Sequence, residues 1–202
     1  MRKVLFGLGV AGLLVVVLLV WAQQAPVPAS QVTIGGKVAN VPLATLSGEP
    51  VELYTYSRQH GTLVIFVSTR CPVSNDYNQR MAELARDYIP REFAIIGVNS
   101  NSNEPANEVA RHAAEKALGF TILKDPENRV ADYLGASVTP EAYLFDRDWT
   151  LRYHGRIDNS RNPVNITSRD LRAALDAVEA GRPVPVAEAK AFGCTIKRAP
   201  RP

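Results

Sequence analysis

Residues 62–74 read Thr62-Leu63-Val64-Ile65-Phe66-Val67-Ser68-Thr69-Arg70-Cys71-Pro72-Val73-Ser74. The first half is a continuous apolar, β-branched run, the pattern of a strand buried on both faces of a sheet. From Pro72 the period changes. Val73, Tyr77, Met81, Leu84, Ala85 and Tyr88 recur at helical spacing on one face, and Pro90 ends the run. One helix is therefore expected from Pro72 onward. Cys71 falls at the junction, where a thiol faces unpaired backbone N–H groups and the positive end of a helix dipole. Both favour the thiolate, as does the Arg70 guanidinium if it lies close. Such settings lower a cysteine pKa from about 8.5 towards roughly 3.5–7.5. The thiolate is the nucleophile in disulfide exchange and in attack on peroxide. A cysteine that only packs is the weaker reading, because a proline directly follows it at a strand–helix junction.

Outward from this stretch the chain alternates strands and helices. Residues 33–57 hold two short strands around the turn Ser47-Gly48-Glu49-Pro50. Phe93–Val98 is a second buried strand. A helix from Pro105 carries Val109, Ala110, Ala113, Ala117 and Leu118. Phe120–Leu123 is a short strand; Asp125 is placed to cap the helix after it, with Pro126 in its first turn and Gly135 past its end. Thr139–Phe145 and Thr150–Ile157 are strands, and the tight Asp146-Arg147-Asp148 connection makes them a hairpin. Thr167 and Asp170 have capping-box spacing before a last helix with Leu171, Ala174, Leu175 and Val178, stopped by Gly181 and Pro183. The order β-α-β-α-β-α-β-β-α specifies an α/β sandwich around a mixed sheet.

The 202 residues suit one globular domain. Arg2 and Lys3 precede an uncharged run, Val4–Ala22, of membrane-spanning length, which would keep the N-terminus in the cytoplasm and export the rest. An uncleaved anchor is the preferred reading of residues 1–22. Val20-Trp21-Ala22 also matches a signal-peptidase site, so a secreted, cleaved form is the alternative. Residues 23–32 read as a linker, 33–182 as the domain and 183–202 as an extended tail. Of the 23 Lys and Arg, all but Arg2 and Lys3 lie in the exported part, against 20 Asp and Glu. That balance gives no electrostatic footprint for nucleic acid. Two cysteines are too few for a disulfide scaffold. His60, His112 and His154 are dispersed, so no metal site is expected, and no flavin or nicotinamide motif implies a cofactor.

Phe66–Ser74 resembles the strand and Cys-x-x-Cys helix start of thioredoxin-like proteins. Thr139-Pro140 resembles their cis-proline segment, and Asp146–Gly155 the hairpin that follows it. The helix at 105–118 and the leading strands resemble the redoxin branch, which includes membrane-anchored thiol–disulfide oxidoreductases and the alkyl hydroperoxide reductase/thiol-specific antioxidant proteins. The resemblance spans roughly Val38 to Ala180. It implies a three-layer thioredoxin-like sandwich, Cys71 as nucleophile and Pro140 shaping a groove lined by Ser68, Arg70, Pro72, Ser74 and Thr139. It also implies protein thiols and disulfides, or hydroperoxides, as substrates and a dithiol protein as electron donor. The departures bear on mechanism. Ser74 stands where the second cysteine belongs, so resolution must come from elsewhere. Ser68 fits the peroxiredoxin hydroxyl position, but Val64 replaces that motif's proline. Arg152 and Arg156 are either solvated or placed to hold a thiolate or peroxide. Cys194, in Gly193-Cys194-Thr195, is either a resolving cysteine swinging in from the tail, half of a fixed staple to Cys71, a cysteine for a partner, or a cysteine without a role. Three functions follow: a thiol–disulfide oxidoreductase, a thiol peroxidase, or a non-catalytic client-binding domain.

Overall fold

A computed structural model of the chain describes residues 32–200. The apolar N-terminal helix and nearly all of the linker expected from the sequence lie outside the described residues. The elements are β1 (Pro42–Ala44), β2 (Pro50–Glu52), β3 (Gly61–Phe66), α1 (Pro72–Asp76), α2 (Asn78–Tyr88), β4 (Phe93–Asn99), α3 (Ala106–Glu115), β5 (Thr121–Lys124), α4 (Arg129–Leu134), β6 (Val138–Thr139), β7 (Glu141–Phe145), β8 (Leu151–Gly155), α5 (Asp170–Glu179), β9 (Glu188–Ala189) and β10 (Cys194–Thr195).

Eight strands form one mixed sheet in the order β2-β1-β5-β4-β3-β7-β8-β9. β3, β4 and β5 run parallel, and β7 turns antiparallel against β3. Alternation along β3 supplies two cores. Leu63 and Ile65 pack with Met81 and Leu84 of α2, Val109 of α3 and Leu171 of α5. Val64 and Phe66 pack on the opposite face with Val130 and Leu134 of α4 and with Trp149. This is the three-layer arrangement, with the Cys71 loop leaving the end of the central strand.

Three local expectations change. The single helix from Pro72 is two, because Tyr77 interrupts it at φ −94°, ψ −4°. The tightened turn goes with a buried Tyr77 whose hydroxyl donates to Asp158 at 2.9 Å, under the Arg80 guanidinium 3.5 Å from its ring. Asp125 does cap, but further along: its carboxylate accepts from the Val130 and Ala131 N–H groups, each at 2.9 Å, at the start of α4. The Thr167–Asp170 capping box does not form. Thr167 Oγ1 accepts from Asn159 Nδ2, and the Asp170 carboxylate is taken by Arg156 and the Ser168 hydroxyl. A charged partner across the fold outcompetes a neutral local N–H.

The tail is not a free extension. β9 adds parallel to β8 at the sheet edge, and β10 pairs antiparallel with β6 in a separate two-stranded ribbon. Among the described residues, no helix is long and apolar enough to cross a membrane.

Candidate active site

Cys71 is the residue before the first turn of α1, with Pro72 inside that turn. Its sulfur accepts the Ser74 N–H at 3.3 Å, an orphan donor of the helix start. It is 3% exposed. Ser74, in the place of a second cysteine, is buried, and its hydroxyl accepts from the Ser68 N–H at 3.2 Å. Opposite stands the Thr139-Pro140 bond, which is cis. The Thr139 carbonyl oxygen lies 3.3 Å from the Cys71 sulfur. Cys71 is joined to Cys194 in a disulfide, with Cα atoms 5.8 Å apart across 123 positions.

The loop before Cys71 is tied down from beneath. The Ser68 hydroxyl accepts from the Cys71 and Arg70 N–H groups at 3.0 and 3.2 Å and donates to Glu104. Glu104, 2% exposed, also accepts from the Thr69 N–H at 2.9 Å and from Asn99 Nδ2 at 2.6 Å. Asn75 Nδ2 donates to the Thr69 carbonyl, while Asn75 Oδ1 lies 2.8 Å from His112 Nε2 on α3. Burial, and then the nearby Lys116 charge, push the His112 pKa down.

The Arg70 guanidinium forms a two-pronged pair with Glu108 at 2.9 and 2.6 Å. The hydrogen bond from Arg70 is the main reason the Glu108 carboxyl is held down at about 2. Arg152 pairs with Asp146 and Arg156 with Asp170, so the cationic side chains considered from the sequence are engaged by acids. Ser68, Arg70, Pro72, Ser74, Thr139 and Pro140 thus all fall within the Cys71 loop, its helix start or the facing cis-proline edge, and Cys194 reaches them from β10, which pairs with that edge. The Arg70 side chain is exposed and engaged by Glu108. A groove of about 560 Å³ between α2 and residues 157–172, lined by Asp76, Arg80, Asp158 and Arg169 among others, includes neither cysteine.

Sequence reasoning missed Glu104 and Glu141. Glu141 follows the cis bond, is 4% exposed, and accepts from the Ser137 and Val138 N–H groups at 2.8 and 3.1 Å. His154 Nε2 lies 2.6 Å from its Oε1. Burial pushes the Glu141 carboxyl up, but His154 and the two N–H groups together pull it below its ordinary value. A depressed folded value stabilises the fold above the unfolded carboxyl value of about 4.3, and the contribution disappears as pH falls through the lower folded value. Glu141→Gln is therefore expected to cost about 1–3 kcal/mol at pH 7. The difference in melting temperature from the wild type should narrow as pH falls below the unfolded carboxyl value of about 4.3. A difference that shows no narrowing at any pH below about 4.3 at which both proteins stay folded would show that the charge on Glu141 is irrelevant.

A strand–Cys71–helix junction facing a cis-proline edge, with residues 34–154 matching the AhpC/TSA family model, decides the relationship. The chain belongs to the AhpC/TSA family. It is a thiol-dependent oxidoreductase of thioredoxin-like fold. Among solved structures it is similar to an uncharacterized conserved protein from Geobacillus kaustophilus, at 31% identity and TM-score 0.78 over 86% of this chain and 96% of that one. It is also similar to a hypothetical protein from Sinorhizobium meliloti 1021, at 33% identity and TM-score 0.76 over 84% of this chain and 97% of that one. A structure from Chlorobium tepidum described as a thiol:disulfide interchange protein DsbE shares the fold at 18% identity and TM-score 0.60, over 74% of this chain and 99% of that one. No curated protein matches the chain.

Proposed function

We propose that this family member is an extracytoplasmic, membrane-tethered thiol–disulfide oxidoreductase in which Cys71 attacks and Cys194 resolves. The Cys71 thiolate attacks one sulfur of a client disulfide, forming a mixed disulfide as the first client thiolate leaves. The Cys194 thiolate then attacks the Cys71 sulfur. The second client thiolate departs and the Cys71–Cys194 disulfide forms. A partner dithiol protein returns two electrons. The observation that carries this reading is the Cys71–Cys194 disulfide lying against the cis-proline edge, with the Ser74 N–H on the attacking sulfur. The tether rests on Arg2-Lys3 ahead of Val4–Ala22.

A peroxidase uses the same cysteines: the Cys71 thiolate attacks one peroxide oxygen, the O–O bond breaks and an alcohol or water leaves, Cys71 becomes a sulfenic acid, and water is lost when Cys194 condenses with it. Family membership and the Ser68 hydroxyl favour keeping it as the second reading. Against it, that hydroxyl is spent on Glu104, and Arg70, Arg152 and Arg156 are paired with acids.

Trapping separates the readings. Cys194→Ser is expected to accumulate mixed disulfides with client proteins at Cys71, lost on further substitution Cys71→Ser. Accumulation of sulfenic acid after hydroperoxide, with no mixed disulfide, would establish the peroxidase instead. A wild-type disulfide that resists strong dithiols, with neither product, would make the pair a fixed staple in a client-binding domain.

A further inference from the structure

The way the tail lies on Cys71 reports what the groove accepts. β10 pairs with β6 so that Cys194 stands opposite Thr139 and Thr195 opposite Val138. The Ile196 N–H donates to the Ser137 carbonyl at 3.0 Å. Beyond it, buried side-chain amides read the tail's backbone. Asn101 Oδ1 accepts the Lys197 N–H at 2.8 Å, and Asn128 Oδ1 accepts the Ala199 N–H at 2.7 Å. The Ser102 N–H donates to the Lys197 carbonyl at 2.9 Å. These contacts hold an extended main chain whatever its sequence.

Side chains count at few places. A Cβ on Gly193 would sit 2.0 Å from the Thr139 carbonyl oxygen and 2.7 Å from its carbon, so the residue before the cysteine must be glycine. Two positions after the cysteine, Ile196 is 3% exposed and packs in the core cluster that holds Val130 and Leu134. Thr195 between them is exposed. Any chain that presents a sulfur to Cys71 along the Thr139 edge in this direction meets the same carbonyl and the same apolar site.

We propose that the protein clients of Cys71 bind as an extended strand carrying Gly-Cys-x-aliphatic, the pattern of Gly193-Cys194-Thr195-Ile196, and that they enter by displacing the tail. This rests on Cys71 acting as a nucleophile towards disulfides. The tail is then both resolving arm and resident competitor, since with it in place Cys71 is buried.

The test uses full-length protein carrying Cys194→Ser, with and without Gly193→Ala, so that Cys71 is the sole thiol. The probe is a synthetic peptide with the sequence of residues 191–199, its cysteine activated as a mixed disulfide with 5-thio-2-nitrobenzoate. Cys71 attacks the peptide sulfur, and coloured thionitrobenzoate leaves with the bonding electrons. With Gly193→Ala the tail loses its fit, and the peptide should react at least tenfold faster than on Cys194→Ser alone. Peptides with alanine for the glycine, or aspartate for the isoleucine, should react at least tenfold slower than the parent. The same substitution thus speeds the reaction in the tail and slows it in the peptide. If Gly193→Ala impairs folding, the peptide ratios on Cys194→Ser alone carry the test. Equal rates for the three peptides would overturn the specificity and leave Cys71 a nucleophile. No release from any peptide, nor from the small symmetric disulfide of the same chromophore, would overturn both.

Discussion

Reducing the Cys71–Cys194 disulfide is expected to lower the melting temperature by roughly 10 °C or more while leaving the fold intact. The bond closes a loop of 123 positions. In the chain-entropy model, cross-linking a loop of about this size removes unfolded-state freedom worth about 4–5 kcal/mol. For a domain of this size each kcal/mol moves the midpoint by about 2–4 °C. Cys194→Ser should match reduced wild type and show no further response to dithiol. The measurement is thermal unfolding by circular dichroism with and without reductant. A reduced protein melting within about 2 °C of the oxidised one would mean that the unfolded chain is not restricted by this link. On sequence alone, reduction would also free the tail for proteolysis after Pro185. The structure supplies a non-covalent hold as well, through Ile196, Asn101, Asn128 and the Arg198–Asp132 pair. Cleavage after Pro185 should accordingly rise more when Gly193→Ala is added to the reduced protein than on reduction alone.

What could be read from the chain follows from how local its causes are. β3 and the junction at Cys71 were legible because a buried parallel strand and an amphipathic helix write their periods into adjacent residues. Thr139-Pro140 was legible by resemblance, and the hairpin after it by its tight turn. Glu104 was not. It lies 34–36 positions from the Ser68–Arg70 loop groups it holds, and a lone acid between Asn103 and Pro105 looks like any surface residue. Asn101 and Asn128 have the same invisibility: an amide that clamps the tail's backbone 96 or 71 positions away leaves no pattern near itself. The partner of Arg70 was hidden for a related reason. Its place beside Cys71 in sequence left open whether the guanidinium lies close, and nothing near it announced that Glu108, 38 positions on in α3, offers a two-pronged partner. Thr167 and Asp170 had the right spacing for a cap, but Asn159 engages Thr167 and Arg156 engages Asp170.

Glu104→Ala should be the most destabilising single side-chain change around Cys71 short of breaking the disulfide. Its carboxylate collects the Ser68 hydroxyl, the Thr69 and Arg70 N–H groups and Asn99 Nδ2 in a site that is 2% exposed. Removing it leaves those donors without their acceptor inside the protein, where each unsatisfied group costs about 1–3 kcal/mol. Arg70 N–H keeps a second acceptor in the Ser68 hydroxyl, and Asn99 Nδ2 keeps the Val67 carbonyl at 3.3 Å. The loss should therefore be about 3–5 kcal/mol rather than the full sum. Glu104→Gln is the discriminating companion. Its oxygen can serve Thr69 and Asn99, but its amide would then confront a Ser68 hydroxyl already accepting from Cys71 and Arg70. Gln should recover part of the stability and not all of it. Because Ser68 sets the Cys71 N–H, both variants should also alkylate faster at Cys71 in the reduced state, Ala more than Gln. Chemical denaturation gives the first ordering and iodoacetamide labelling the second. If Ala costs under about 1 kcal/mol, or Gln is as harmful as Ala in both assays, the carboxylate is not what fixes the loop that presents Cys71.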